Sequence, residues 1–404
     1  MRTIVLCVAL SSTFSAVAAS ITFHKDFEGG SFGRLEQVSS NHFRCHVEGQ
    51  ADERGRNRQA TWYFFRMDGW RGLELKLSLT NLVGEYNNRP GAVSMNADTV
   101  PVFSHDGEKW QHFRAMDWDP LAKEATVPVR FERESLWVAH VPPYTVSRLQ
   151  GLLSELKRSA SVRLETIGRT MENRELPLVT VTDFEERETD KKTVWLIARQ
   201  HAWEAGTSFV MEGALRFIAS DEPAARDLRQ RVMFKFVPMM AHDGVVHGKV
   251  RFNMSGYDLN RHWNNQGWRS EDFEEHMPEI AFVKKAIFAW LDTGKRIDLM
   301  VNLHNTETAE YVRSQTDDPG TQALFKRFED ELVAKTSFDP STRVSFSTEQ
   351  IDDTNSLWRQ GRVPVALMEQ RISVSRKLGR RPTVEDRLKF GRDLVAEMGN
   401  AVLR

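Results

Sequence analysis

The segment from residue 193 to residue 217 constrains the fold most strongly. It begins with an apolar, β-branched run, Val194 to Ala198, that is typical of a strand buried on both faces. It ends with apolar residues at helical spacing, Phe209 to Ile218, that predict an amphipathic helix. Between them lie His201 and Glu204, at the edge where open α/β sheets place their sites. Such a pair could bind a zinc ion, although the same spacing also occurs in solvated surface turns.

Strands and helices alternate through the rest of the C-terminal half. Residues 161–168 and 176–182 predict a hairpin-like pair of strands. Further buried strands are predicted at 232–237, 297–303 and 363–368, and helices at 145–156, 280–291 and 383–403. Thr383 and Asp386 have the spacing of a capping pair at the start of the last helix. This alternation predicts an α/β fold with a mixed, mostly parallel sheet flanked by helices.

The N-terminal half has an all-β pattern. Phe43, Cys45 and Val47 alternate with polar residues, as in a half-buried strand, and further short strands are separated by turn signals. A chain of 404 residues exceeds what one core usually serves. We therefore expect an antiparallel β-sandwich domain at 19–143 and a catalytic domain at 144–404. The histidines of the first half are interpreted as structural: His42, His46, His105, His112 and His140.

Residues 1–18 have the features of a signal peptide. A single charge at Arg2 precedes a short apolar run, and Ala16-Val17-Ala18 offers a cleavage pattern of small residues. The run is shorter than the ~20 residues that a membrane span needs. We expect an exported protein, periplasmic or secreted, with no integral membrane span, while a buried N-terminal strand stays open as the alternative. The net charge of −1 provides no field for binding nucleic acid.

Two more predicted strands end in residues that can carry chemistry. His304 ends the strand at 297–303, and Glu369 ends the strand at 363–368. Between the first segment and these strands, a long loop contains Arg251, Asn260 and Arg261. Arginine and asparagine side chains can hold a carboxylate, and arginine can polarise a carbonyl oxygen. Each residue alone has an ordinary structural interpretation, but their joint placement favours a site.

These segments resemble the zinc metallocarboxypeptidases, in the cytosolic-carboxypeptidase-like branch that has an N-terminal β-sandwich. The resemblance covers essentially the whole chain after the leader. It is carried in the C-terminal half by RQHAWE, DGVVHGKVRFNMSGYDLNR, NLH and LMEQR. In the N-terminal half it is carried by TWYFFRM and WVAHVPPYTVSRLQ.

The resemblance implies a metal site and a base. His201, Glu204 and His304 would bind one zinc ion per chain. Asp258 would orient the imidazole of the first ligand, as metal-bound histidines generally require. Glu369 would act as the general base toward the zinc-activated water.

The resemblance also implies how a substrate binds. Arg251 would stabilise the oxyanion, while Asn260 and Arg261 would hold the terminal carboxylate of a peptide or protein. The implied activity is zinc-dependent hydrolysis of the C-terminal peptide bond. An exported amidase or endopeptidase acting on cell-wall peptides, and a non-catalytic binding module, stay open as alternatives.

One departure concerns a tyrosine that many members place between the third ligand and the catalytic glutamate. This chain has no tyrosine after Tyr311, so either Tyr311 reaches the site by another route or the contact is missing. A preference for acidic C-terminal residues is only weakly implied by the branch. The basic candidates for such a pocket, Arg359, Arg362 and Arg371, could equally face solvent.

Overall fold

The N-terminal strands form two stacked sheets. The computed structural model describes residues 21–86, 89–93 and 95–404, so the leader predicted at 1–18 lies outside the described residues. The first sheet has the strand order β1-β4-β12-β8-β9, the second β10-β11-β5-β3-β2, and β6 and β7 form a separate hairpin. Their bounds are β1 Thr22–His24, β2 Leu35–Ser39, β3 His42–His46, β4 Phe64–Asp68, β5 Glu74–Thr80, β6 Val83–Tyr86, β7 Arg89–Val93, β8 Val102–Ser104, β9 Gln111–His112, β10 Asp117–Asp119, β11 Glu124–Arg130 and β12 Ser135–Ala139.

The C-terminal half is built on a single eight-stranded sheet of order β13-β14-β16-β15-β17-β20-β18-β19. Its strands are β13 Val162–Arg169, β14 Glu175–Val181, β15 Lys192–Ala198, β16 Val232–Val237, β17 Leu299–Thr306, β18 Tyr311–Gln315, β19 Ser345–Ser347 and β20 Val365–Arg371. The helices are α1 Val146–Leu156, α2 Ala205–Ile218, α3 Pro223–Arg231, α4 His242–Val246, α5 Glu271–His276, α6 Pro278–Asp292, α7 Pro319–Lys335, α8 Leu357–Gly361 and α9 Val384–Leu403.

The central strands of this sheet are parallel, antiparallel pairs join the strands on either side of them, and the edge strand β19 pairs in parallel with β18. β16, β15, β17 and β20 pair in parallel, whereas β13, β14 and β18 join through antiparallel pairs. The mixed, mostly parallel sheet expected from the sequence is therefore confirmed. The parallel strands are buried on both faces, as their continuous apolar sequences require.

The sandwich is confirmed, with one parallel pair, β3 with β5, among otherwise antiparallel strands. Its core lies between the two sheets, where Cys45, Phe65 and Leu77 are buried. The opposite face of the first sheet, through Trp62 and Phe64, joins the core of the C-terminal half. The two halves consequently share a continuous apolar contact.

Helix α2 differs from its expected amphipathic character, because nearly all of it is buried. It lies between the sheet and α9, and two glycines allow the close approach. A Cβ atom at Gly213 would collide with the carbonyl oxygen of Leu388, and one at Gly391 with that of Val210. The capping box predicted for α9 is confirmed, with Thr383 and Asp386 in reciprocal hydrogen bonds. Within the described ranges, none of the helices is both long and apolar enough to traverse a bilayer.

Candidate metal centre and active site

The residues predicted as metal ligands meet at the carboxyl edge of the parallel strands. His201 and Glu204 lie between the end of β15 and the start of α2, and His304 is on β17. Candidate ligand atoms of the three buried residues all lie within 4.8 Å of one another. The His201 Nδ1 atom is 2.6 Å from Glu204 Oε1, and the His304 Nδ1 atom is 3.0 Å from Glu204 Oε2. The structure thus brings together the whole predicted set.

The second nitrogen of each imidazole is held by an outer side chain. His201 Nε2 lies 3.0 Å from Asp258 Oδ1, as predicted for an orienting carboxylate. His304 Nε2 lies 3.0 Å from Gln200 Oε1, which in turn accepts a 2.8 Å hydrogen bond from Asn302 Nδ2. Both Nε2 atoms face acceptors, so the tautomers with a proton on Nε2 would leave both Nδ1 lone pairs available to a metal ion. Two imidazole nitrogens and one carboxylate fit a catalytic zinc ion, with a position left open for water.

The charges around this centre favour an ionised carboxylate at Glu204. Burial alone would raise its pKa, but the charges of His201 and His304 outweigh burial and lower the pKa to about 2. Burial also opposes ionisation of Asp258, and there Arg251 and His201 hold the pKa well below its usual range. Both carboxylates therefore remain negative at neutral pH, as a metal ligand and an orienting group must.

Arg199 shapes the loop that carries the first two ligands. It follows β15 directly, with a left-handed backbone (φ 57°), and its side chain is buried. Its Nε atom donates to the carbonyl oxygen of Ala202 at 2.9 Å, and its Nη1 atom donates to Ser208 Oγ at 3.0 Å. The guanidinium therefore ties the loop to the first turn of α2. Sequence reasoning missed Arg199 and Gln200, although both flank the predicted ligands.

Glu369 lies beside the metal centre because of the strand register. It is the direct partner of His304 on the neighbouring parallel strand. Burial and the Glu204 carboxylate raise the pKa of Glu369 well above its usual range. Its Oε2 atom has no hydrogen-bond partner among the described residues. A carboxyl group so placed is available to exchange a proton.

Tyr311 reaches the site from the other side of β20. In the antiparallel pair of β18 with β20, Tyr311 is the direct partner of Glu369. Burial and the Glu369 carboxyl raise the pKa of Tyr311 to about 12, so its hydroxyl keeps its proton. Of the two possibilities left by the sequence, the structure thus shows the first, a tyrosine near the site by another route.

Arg251 points its guanidinium at the metal centre. Its Nε atom donates to Asp258 Oδ2 at 2.7 Å, and its Nη1 atom lies 3.5 Å from His201 Nδ1. Because Asp258 contacts both groups, the first ligand and the arginine share one support. The guanidinium thereby borders the space in which a substrate carbonyl would meet the metal.

Asn260 and Arg261 follow Asp258 on the same loop but differ in exposure. Asn260 is buried, and its Oδ1 atom accepts a 3.0 Å hydrogen bond from Thr354 Oγ1, which leaves Nδ2 as the donor for a ligand. The Arg261 side chain is 42% exposed, and its Nε atom lies 3.6 Å from Asp352. This partly exposed arginine can turn toward a charged ligand by giving up its contact with Asp352 and its hydrogen bond to the Asn260 carbonyl oxygen.

The three arginines considered for an acidic pocket lie elsewhere. Arg359 and Arg362 belong to the end of α8 that precedes β20, at the amino edge of the sheet. Arg371 is buried, and its Nη2 atom donates to the carbonyl oxygen of Asp339 at 2.8 Å. A different arginine, Arg313 on β18, has a charge that lowers the pKa of Glu369. Arg313 forms an ion pair with Asp353.

Known proteins share both halves of this architecture. The zinc carboxypeptidase family matches residues 151–362, and the cytosolic carboxypeptidase N-terminal domain family matches residues 23–140. Mouse cytosolic carboxypeptidase 6 is 31% identical over 261 residues, which are 60% of this chain and 46% of that protein. Human cytosolic carboxypeptidase 1 is 26% identical over 320 residues, 69% of this chain and 25% of that protein. The chain thus spans about half or less of the length of these relatives.

Solved structures show the same fold. A metallo-carboxypeptidase from Burkholderia cenocepacia superposes with a TM-score of 0.80 at 24% identity, covering 95% of this chain and 99% of that one. A metallo-carboxypeptidase from Pseudomonas aeruginosa, crystallised with (2-guanidinoethylmercapto)succinic acid, also gives 0.80, at 20% identity and covering 94% and 100%. At these identities the likeness shows the fold alone.

Proposed function

The chain belongs to the zinc carboxypeptidase family, and on that premise we propose that it hydrolyses the C-terminal peptide bond of peptide or protein substrates. Membership makes it a hydrolase with one zinc ion per chain. The observation that carries the proposal is the register of β17 against β20. It places Glu369 directly beside His304, which lies in one cluster with His201 and Glu204.

The metal ligands in this proposal are His201, Glu204 and His304. When bound, zinc supplies a Lewis acid, lowers the pKa of its water toward ~7 and adds positive charge beside Glu204. Asp258 and Gln200 keep the two imidazoles turned so that Nδ1 faces inward. Loss of either contact would let a ring rotate, and metal affinity would fall.

Glu369 is the proposed general base. Its unpartnered Oε2 atom takes a proton from the attacking water and then delivers it to the departing nitrogen. Positioned proton transfer of this kind contributes roughly 10²–10⁴ in rate. Burial and Glu204 raise the pKa of Glu369, so it acts as the base in the first step only where the positive charge of bound zinc opposes them, and its protonated form is then a ready donor in the second step.

Arg251 is the proposed oxyanion donor. Its Nη1 atom borders the metal centre, while its Nε atom stays bonded to Asp258. The guanidinium is therefore already in place when negative charge develops on the substrate carbonyl oxygen. One such donor accounts for about 10²–10³ in rate in other hydrolases.

Recognition of the substrate's free C-terminal carboxylate is assigned to Asn260 and Arg261. Tyr311 places a further hydroxyl group near Glu369. Arg261 pairs with the free carboxylate and Asn260 Nδ2 donates to it, which makes the last peptide bond the one presented for cleavage. An internal peptide bond offers no carboxylate to these groups. Exopeptidase action follows from this requirement.

We also propose that the domain boundary lies between residues 143 and 144. The last sandwich strand ends at Ala139 and α1 begins at Val146, which supports this division. Export rests on the leader at 1–18 alone, and the relatives named cytosolic carboxypeptidases give it no support.

The test combines metal content with product analysis. The parent chain and Glu369→Gln are incubated with a peptide library, and the same library with amidated C-termini serves as the substrate control. We expect about one zinc per chain in both proteins. The parent should release single C-terminal residues from the free peptides only, and Glu369→Gln should be slower by about 10²–10⁴.

A matched variant distinguishes the loss of the general base from the loss of a negative charge near it. The charge of Glu307 also raises the pKa of Glu369, but Glu307 is not the residue paired with His304 across the two strands. Glu307→Gln should therefore retain most of the activity. Equal loss in both glutamine variants would refute Glu369 as the base. Release from muropeptides but not from ordinary peptides would identify the cell-wall alternative, and failure to bind zinc would favour a binding module.

A further inference from the structure

A side chain of the sandwich domain reaches into the loop that carries Arg251. The Gln50 Oε1 atom accepts three consecutive backbone hydrogen bonds, from Val250 N at 3.0 Å, Arg251 N at 2.8 Å and Phe252 N at 2.9 Å. Its Nε2 atom donates to the carbonyl oxygen of Phe252 at 2.8 Å. One amide from 200 residues away in sequence therefore holds the backbone of the whole segment.

Gln50 is itself fixed on the sandwich. Its backbone forms an antiparallel bridge with Gln59, with both N–H to O distances at 2.7 Å. Three residues on, Glu53 N donates to the carbonyl oxygen of Gly256 at 3.1 Å. Gly256 has φ 84°, and a Cβ there would lie 2.5 Å from Glu53 N, so the two loops are in close contact. The amide of Gln50 is consequently presented from a rigid base.

The segment held by Gln50 connects two parts of the active site. The carbonyl oxygen of Val250 accepts a 2.9 Å hydrogen bond from Trp203 N, between the first two metal ligands. Phe252 forms a bridge with Asp258, so the segment is one side of the hairpin that places Asp258 beside Arg251. Each of the three N–H groups of residues 250–252 needs an acceptor, because an unpaired buried backbone donor is costly. Gln50 supplies that acceptor.

We propose that Gln50 is a positioning residue for Arg251, so that the sandwich domain completes the active site rather than standing beside it. The inference rests on the proposed function, because Arg251 is its oxyanion donor. Removing the amide frees three N–H groups and lets the Arg251 backbone shift. A displacement of about 1 Å at a catalytic group can cost 10²-fold in rate.

The experiment compares three full-length variants. Gln50→Met keeps the length of the side chain but removes the acceptor, and Gln50→Glu keeps an acceptor for the three N–H groups. Gln59→Met is the matched control on the same bridge. We expect kcat to fall about 10–100-fold in Gln50→Met with KM and zinc content nearly unchanged. Gln50→Glu should retain most of kcat, and Gln59→Met should match the parent.

Two further measurements separate positioning from general stability. In an Arg251→Ala background, Gln50→Met should cause little further loss, because residues that act as a unit are not additive. Hydrogen exchange should accelerate at the amides of residues 250–252 in Gln50→Met and stay near the parent's in Gln59→Met. Should Gln50→Met not fold, Gln50→Asn, one methylene short of the loop, takes its place.

The results distinguish failure of the Gln50 inference from failure of the proposed function. Unchanged kcat in Gln50→Met, or a full further loss in the Arg251→Ala background, would overturn the inference. If the parent cleaves no peptide at all, the proposed function fails, and amide exchange at residues 250–252 then decides by itself whether Gln50 positions this segment.

Discussion

His140 should make the stability of the folded chain sensitive to acid. It follows β12 and is only 3% exposed. Its ring centroid is 5.5 Å from that of Tyr63 in the sandwich and 5.8 Å from that of Trp203 in the metal-binding loop. Neither ring nitrogen has a hydrogen-bond partner among the described residues. Burial lowers the pKa of this imidazole from 6.5 to about 3.

The sign and size of this acid effect follow from the difference between the pKa values of His140 in the folded and unfolded chains. Because the folded pKa is lower than the unfolded one, the contribution of His140 to stability is fully present above pH 6.5 and is lost as the pH falls toward 3. Each pH unit in that window costs roughly 1.4 kcal/mol, since only the unfolded chain takes up the proton. Between pH 7.5 and 4.5 the loss from this group amounts to about 2–3 kcal/mol.

The assay is urea unfolding of the metal-free chain at pH 7.5 and 4.5, in chelator, so that zinc release does not contribute. His140→Phe retains a buried ring but cannot be protonated. We expect the parent to lose about 2–3 kcal/mol more than His140→Phe between the two pH values. The control His276→Gln, at a side chain that is 41% exposed, should behave like the parent. Equal acid losses in the parent and His140→Phe would refute the reasoning.

Four further substitutions test other parts of the structure. Asp258→Asn should weaken zinc binding about 10–100-fold in a chelator competition, and unchanged affinity would contradict its orienting role. Arg261→Met should raise KM about 10–100-fold for peptides with free C-termini, with a smaller effect on kcat; a loss confined to kcat would place this residue elsewhere. Gly391→Ala, which meets the carbonyl oxygen of Val210, should lower the free energy of unfolding by at least about 1–3 kcal/mol. Gly151→Ala, at an open helical position, should instead stabilise by up to about 1 kcal/mol.

Local patterns were sufficient for the strand, loop and helix around His201. Residues 232–237 form a strand with the predicted bounds, and α9 begins at its predicted cap. The omissions include α7, from Pro319 to Lys335, and β18, from Tyr311 to Gln315. β18 is a short strand of mixed polarity, and neither residue composition nor period distinguishes it from a loop. The burial of α2 was also misjudged, because its glycine contact with α9 is a long-range feature.

The sequence by itself determined the two-part architecture, the buried parallel strands and the residue types at their carboxyl ends. These follow from hydrophobic period and from the rule that sites form at that edge of a sheet. Only the tertiary structure decided that β20 lies between β17 and β18, in a register that puts Glu369 between His304 and Tyr311. It alone brought Gln50 to the Arg251 loop. Strand order, register and contacts between distant loops depend on how the whole chain packs, and no local pattern encodes them.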